Sequence, residues 1–230
     1  MGTVLAMSDV CAAKACLAAA VTAAALALSG CGDLAKSGIG SRVIGTLVPS
    51  MAQVVAAPGS RLDFSPQTIA ANTSQFQIFT INALSGQAPG RLIQENGAEQ
   101  TWASQSGFTA SYRDGLLVAT RGLGDDLMAS DTGQVRAMLA QGGGHAQRAV
   151  DFLDDFDRIE TVRFECEIAV QGREVVDLGL RQPELAKYEE TCSSPTLVFT
   201  NIYWLDGVGE ILQSRQFVSQ TVAYLRSNRL

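Results

Sequence analysis

A mainly β fold is what this sequence predicts: an antiparallel meander forming a curved sheet, barrel or sandwich, with one or two short helices. Three observations carry the prediction. From Gln75 onward the apolar residues recur with a period of two, dipeptides that favour hairpin turns separate the runs at short intervals, and a helical period is found at only one place inside that region.

The elements are taken in chain order. The first thirty residues are of a different kind: Ala15 to Leu28 carries no charge, Lys14 precedes it and small residues follow, which is the three-part layout of a secretory signal. The run is too short to span a bilayer comfortably. It ends in Leu28-Ser29-Gly30-Cys31, an apolar residue, two small ones and a cysteine, which looks like the lipobox of bacterial lipoproteins. A sulfur nucleophile is what the acylation requires. We therefore expect a signal peptide over 1–30, cleaved after Gly30, and a diacylglycerol or acyl lipid on Cys31. Initiation at Met7 would give a more usual start, free of the preceding residues, and leaves the lipid site unchanged. Gly32, not an aspartate, directly follows the cysteine, and this favours the outer membrane over inner-membrane retention.

Residues 31–60 are rich in Gly, Ser, Ala and Pro and read as a lipid-anchored tether and lead-in segment, with one helix expected in the apolar stretch Val43 to Val55. Residues 61–230 are expected to form a single β-rich domain, since the 200 residues left after the signal are enough for one core. Hairpins are predicted at Asn96-Gly97, Asp114-Gly115, Gln171-Gly172 and Asp206-Gly207. In the clearest strand Val162, Phe164, Cys166, Ile168 and Val170 alternate with Thr161, Arg163, Glu165, Glu167 and Ala169, which points Cys166 at the core. The one helical pattern, Asp131 to Gln141, places Val135, Met138 and Leu139 on one face ahead of Gly142-Gly143-Gly144. Leu197 to Leu205 is apolar on both faces apart from Thr200 and Asn201. It reads as a central strand that pairs through Asp206-Gly207 with Glu210 to Val218. So many short strands require two packed sheets or a sheet that curves to closure, because a flat sheet would expose long edges.

The five cysteines divide by position. Cys11 and Cys16 leave with the signal, Cys31 takes lipid, and Cys166 and Cys192 remain in an oxidising compartment, where we expect them to form a disulfide. A metal or redox pair would need CxxC spacing and nearby histidines, which this stretch lacks.

The net charge of -6 argues against a nucleic-acid partner, and the arginines are scattered singly from Arg42 to Arg229 with no basic cluster in the sequence. Other candidates for chemistry have simpler readings. Asp151, Asp154, Asp155 and Asp157 lack the glycine and distal glutamate of an EF-hand and read as a solvated hairpin turn. Asp125 and Asp126 are adjacent, so on a strand they would point oppositely and cannot act as a facing carboxylate pair. His145, the single histidine, follows three glycines and reads as a surface residue. The mature chain has no GxSxG elbow, phosphate-binding glycine loop or zinc spacing, so neither an enzyme nor a cofactor or metal centre is expected. Trp102, Tyr203 and Trp204 are the candidate partner or sugar contacts, by stacking, although most such rings in apolar runs are expected to be core.

The order of several segments resembles the YjbF/GfcB family of lipoproteins. These are Gln100-Thr101-Trp102, then Asp114 to Leu127 (DGLLVATRGLGDDL), then Asp151-Phe152-Leu153 leading to Asp157-Arg158-Ile159. The strand carrying Cys166 follows, then Glu190-Thr191-Cys192, Phe199 to Trp204 (FTNIYW) and Ser214 to Ser219 (SRQFVS). The lipobox and both mature cysteines fit the same pattern, and the resemblance covers about Gln75 to Leu225 plus the signal. It implies an accessory role in capsule or exopolysaccharide export beside an outer-membrane β-barrel and other periplasmic components, and it carries over no catalytic residue.

The expectation is thus a periplasm-facing lipoprotein, held to the outer membrane by its lipid, that assists polysaccharide export by binding other secretion components. The alternatives are a carbohydrate-binding or polysaccharide-modifying lipoprotein, or a carrier of an apolar ligand inside the barrel.

Overall fold

The computed structural model describes residues 62–81, 86–154 and 156–230. The expected signal, lipobox, Cys31, tether and Val43–Val55 helix lie outside the described residues. A short helix α1 (Pro66–Ala71) comes first, and its start is legible locally: Ser65 caps it by accepting from the Thr68 N–H, and Pro66 occupies the first turn, where its missing N–H costs nothing. A single 3₁₀ turn, Thr73–Gln75, leads into the sheet.

Twelve strands follow: β1 (Phe76–Ile81), β2 (Gly86–Asn96), β3 (Glu99–Ser104), β4 (Thr109–Arg113), β5 (Leu116–Arg121), β6 (Ala129–Asp131), β7 (Gly143–Leu153), β8 (Ile159–Val175), β9 (Glu184–Ser193), β10 (Val198–Leu205), β11 (Ile211–Ser219) and β12 (Ala223–Arg229). Helix α2 (Gly133–Gln141) lies between β6 and β7. All make one antiparallel sheet in the order β5-β4-β3-β2-β1-β12-β11-β10-β9-β8-β7-β6. Neighbours in the sheet are neighbours in sequence except at β1–β12, where the two arms of the meander join.

The sheet curves until its edges almost meet. The Thr120 N–H donates to Leu127 O at 2.9 Å, and the Arg121 guanidinium reaches Leu127 O and Met128 O at 3.1 and 3.2 Å, tying the end of β5 to the segment that enters β6. The result is a nearly closed barrel, which leaves little free edge to pair with another chain. Leu116, Leu117 and Val118 are all buried although consecutive, so β5 is covered on both faces.

Side chains fill the interior, and the alternation along each strand explains which ones. Phe164, Cys166 and Ile168 of β8 point in, as do Tyr203 and Leu205 of β10 and Val135 and Leu139 of α2. A second, smaller apolar cluster lies on the opposite face of the sheet. There Trp204 and Leu212 pack against Val176 and Leu178 from the β8–β9 connection and Leu185 of β9.

The predicted turns are found at Gly97-Ala98, Asp114-Gly115 and Asp206 to Glu210. Asp114 and Gly115 both have positive φ, as a two-residue hairpin turn demands. Gln171-Gly172 is a correction. The chain does not reverse there: it bulges within the long β8, with the register to β9 slipping between Val170 and Gly172 and Gly172 at φ 113°. The reversal comes later, over residues 176–183. The partner β7 begins at Gly143, opposite Ala169, so beyond that point β8 pairs with β9 alone. Val170 is therefore 55% exposed and does not continue the buried stripe.

Candidate functional site

Two clusters of charged side chains in the sheet have contrasting surroundings. The first is inside. Arg148 of β7 and Glu190 of β9 form an ion pair with exposures of 4% and 0%: Nη1 of Arg148 donates to Oε2 at 2.8 Å and to Oε1 at 3.1 Å. Isolated charges cannot be buried at this depth without heavy cost, and here the remaining valences are met. Arg148 Nε donates to Ser130 Oγ at 2.9 Å, Asn201 Nδ2 donates to Glu190 Oε2 at 2.7 Å, and the Tyr203 hydroxyl donates to the same oxygen. Burial pulls the Arg148 pKa down, but the Glu190 charge and Tyr203 outweigh it and hold the guanidinium above its ordinary value. Burial, with the Glu190 charge adding to it, pushes the Tyr203 phenol well above its usual range.

The network also finishes β5. Gln216 accepts from the Leu117 N–H at 2.7 Å and donates to Gly115 O at 3.0 Å, so a side chain of β11 meets backbone groups of an edge strand. Ser214 and Ser227 exchange a hydrogen bond at 3.0 Å beside Gln216. These contacts are architectural: each partner is committed to another protein group.

Cys166 and Cys192 are cross-strand partners on β8 and β9 and are joined by a disulfide. Cys192 Sγ lies 3.2 Å from Glu190 Oε1. A disulfide sulfur carries no hydrogen, so this is packing and not a hydrogen bond. The three residues are close enough to suggest metal ligands, but the sulfurs are bonded to each other and the carboxylate is taken by Arg148, Asn201 and Tyr203.

The second place is the opposite face of β10, β11 and β12, where the connection 176–183 walls an open recess of about 640 Å³. Trp204 is its floor. The indole donates to Glu174, whose other oxygen is 3.7 Å from Lys187 Nζ. Lys187 and Arg226 stand over the ring at 5.7 and 5.8 Å. Arg215 lies 3.8 Å from the centre of the Tyr224 ring, and the Tyr224 hydroxyl in turn accepts from the Thr200 N–H. Strand pairing puts Arg215 directly opposite Arg226. The recess continues past Gln213 and Asn228, which hydrogen-bond each other at 2.8 Å, towards Thr80 and Gln87.

Set against the sequence reading, burial puts the aromatic candidates on the core side and against sugar stacking. Trp102 and Tyr203 are core residues at 2% and 0% exposure, and Trp204, at 5%, is covered by the cations above it, so none offers a bare ring to a sugar. The lipobox residues Leu28, Ser29 and Gly30, with Cys31, are outside the described residues. Asp154 organises the β7–β8 turn by accepting from the Phe156 and Arg158 N–H groups and pairing with the Arg158 guanidinium, which together lower its pKa. Asp126 does similar work between β5 and β6, accepting from Thr120 Oγ1 and the Gly122 and Leu123 N–H groups. His145 is exposed and lies in β7 opposite Glu167. The cavity beside Trp102 and Tyr112 is about 20 Å³, room for one water and not for an acyl chain.

Sequence reasoning missed both charged clusters. Arg148 and Glu190 sit on strands that look merely amphipathic, and the paired arginines appear single until the β11–β12 register is known. No turn dipeptide marks residues 220–222, so that register could not be read.

Comparison with known proteins places the chain. Residues 45–230 match the family described as group 4 capsule polysaccharide lipoprotein GfcB, YjbF. Among solved structures the chain is similar to the hypothetical lipoprotein YmcC from Escherichia coli (K12). Identity is 18%, coverage is 74% of this chain and 96% of that one, and the TM-score is 0.57. It also aligns with an exported protein of YmcC-like fold from Bacteroides fragilis, at 15% identity over 67% of this chain and 93% of that one; a TM-score of 0.26 carries no argument about shape. No curated protein matches.

Proposed function

This chain belongs to the YjbF/GfcB family of group 4 capsule polysaccharide lipoproteins, and from that premise we propose that it assists export or assembly of a capsular or extracellular polysaccharide as a non-enzymatic adaptor. Lipid on Cys31 anchors it to the inner face of the outer membrane, and its β-rich body engages other secretion components in the periplasm, a β-barrel of that membrane among them. Tethering raises its effective concentration beside such a partner, so a modest contact surface is enough.

The observation that carries this reading is the family match over 45–230, which includes the whole described sheet. The chemistry inside the barrel supports an adaptor: its buried carboxylate and guanidinium neutralise each other and hold strands together. Deleting the gene is expected to reduce surface polysaccharide while leaving sugar-nucleotide synthesis unchanged. Cys31→Ala is expected to move the protein from the outer-membrane fraction to the soluble periplasm and to impair export. Normal surface polysaccharide in the deletion strain overturns the proposal.

A further inference from the structure

We propose that the recess on the β10–β12 face binds an acidic saccharide, with Arg215 and Arg226 receiving its carboxylate or phosphate substituents. The proposal rests on the export reading above and gives that protein a polymer-contacting site of its own.

The pairing of two arginines is the starting point. Residues directly opposite on antiparallel strands have Cβ atoms about 4.5–5.5 Å apart, and like charges there repel. Both side chains are partly buried, which strengthens the repulsion. Among the described residues neither has a carboxylate within 4.0 Å or a side-chain hydrogen bond, whereas Arg113, Arg148, Arg158, Arg173, Lys187 and Arg229 are all in ion pairs. These two are set on directly paired positions at the recess with no carboxylate beside them, and an anion bound there would relieve the repulsion.

The guanidinium groups are also held in place. Arg215 is stacked on Tyr224 and Arg226 stands over Trp204, so both are orientated before a ligand arrives. Both guanidinium groups line the recess, and each planar fork suits the oxygens of a carboxylate or a phosphate. The acids of the recess are engaged: Glu174 with Trp204 and Lys187, and Asp177 through Oδ1 with the Gly179 N–H at 2.8 Å. Beyond the arginines, Gln213, Asn228, Thr80 and Gln87 offer amides and a hydroxyl suited to sugar hydroxyls.

The shape favours a saccharide over a membrane surface. The site is recessed beside the 176–183 connection, which a flat bilayer cannot enter and a narrow chain of sugars can. The net charge of -6 opposes approach to an anionic bilayer, while two local cations suffice for one acidic substituent.

The test uses the full-length lipoprotein in detergent, titrated calorimetrically at low salt with oligogalacturonate and heparin-derived fragments as acidic probes and with malto-oligosaccharide as the neutral one. At least one acidic probe is expected to bind, the neutral one not, with inorganic phosphate competing. Arg215→Gln and Arg226→Gln should each weaken binding roughly ten-fold or more, while Arg163→Gln, an exposed arginine elsewhere on the sheet, should not. Absence of binding by both acidic probes overturns the proposal, as does undiminished binding by the folded double variant. So does flotation with phosphatidylglycerol vesicles that depends on the same arginines while neither probe binds. Phosphate competition on the wild-type protein keeps the test decisive if the variants misfold. A deletion strain that loses surface polysaccharide while the pure protein ignores acidic sugars defeats this inference alone. Binding without a deletion phenotype defeats the export role alone.

Discussion

Arg148 and Arg215 carry the same guanidinium into opposite circumstances. Arg148 is inside the barrel, bonded to Glu190 and Ser130, with Asn201 and Tyr203 completing the carboxylate's shell. Arg215 is on the other face of the sheet, partly open to solvent, stacked on Tyr224 and set opposite another arginine. The first arrangement uses charge to join strands β7, β9 and β10 and leaves nothing to offer a ligand. The second is a local cost to the fold, and such costs mark places where a protein is arranged for something besides its own stability. Interior and surface charge should therefore answer to mutation with different sizes and with opposite signs.

The largest effect expected is at the interior pair. Glu190→Ala leaves Arg148 buried without its counter-ion and should cost about 3–5 kcal/mol in urea unfolding. Replacing both partners with apolar residues, as in Arg148→Met with Glu190→Leu, should restore much of that loss. A loss below about 1 kcal/mol for the single variant, smaller than buried pairs show, would break the comparison, because the pair would then be a passenger.

The disulfide comes next. Cys166 and Cys192 are separated by 26 residues, and opening the loop should lower stability by on the order of 3.5 kcal/mol on the chain-entropy estimate. Unfolding of the Cys166→Ala, Cys192→Ala double variant measures it. Because Cys192 packs on Glu190, this loss and that of Glu190→Ala should fail to add.

Alkaline pH sharpens the contrast further. Burial raises the phenols of both Tyr112 and Tyr203. A group whose folded value lies above its unfolded value keeps its contribution below the unfolded value, near pH 10, and loses it as the pH rises beyond that. Unfolding free energies from denaturant titration should lose nothing from these phenols through neutral pH and then fall by up to about 1.4 kcal/mol per pH unit for each phenol. Tyr112→Phe should reduce that slope, and an unchanged slope would show that the phenol is accessible in the folded protein.

The smallest effect has the reverse sign. Arg215→Gln removes a like-charge pair from β11–β12 and should raise stability by roughly 0.2–1 kcal/mol at low salt, less at high salt. A destabilisation as large as that of Glu190→Ala would show that the surface arginine is structural after all.

Much of the fold was legible because a half-buried strand must alternate and a two-residue hairpin must use residues that tolerate positive φ. Phe164, Cys166 and Ile168 show the first rule and Asp114-Gly115 the second. Gln171-Gly172 misled because a bulge and a turn draw on the same residues; what separates them is whether the partner strand continues, and β9 does continue, opposite Gly172 to Val175. What covers the aromatic candidates was hidden for a related reason. Tyr203 and Trp204 are consecutive and so face opposite sides, yet both are buried, since the 176–183 connection and two cations cover the side a simple strand would leave open.

By itself the sequence determined the fold class, the position of most turns, the core-facing side of Cys166 and the resemblance to capsule lipoproteins. These are local or compositional properties, set by neighbours within a few residues. The tertiary structure alone decided that β1 pairs with β12, that Arg148 reaches Glu190 across 42 positions, and that two scattered arginines fall on directly paired positions of β11 and β12. Such contacts depend on strand order and register. Those are chosen by the whole barrel as it closes, because only closure fixes which interior side chains meet and which outer ones are left opposite each other.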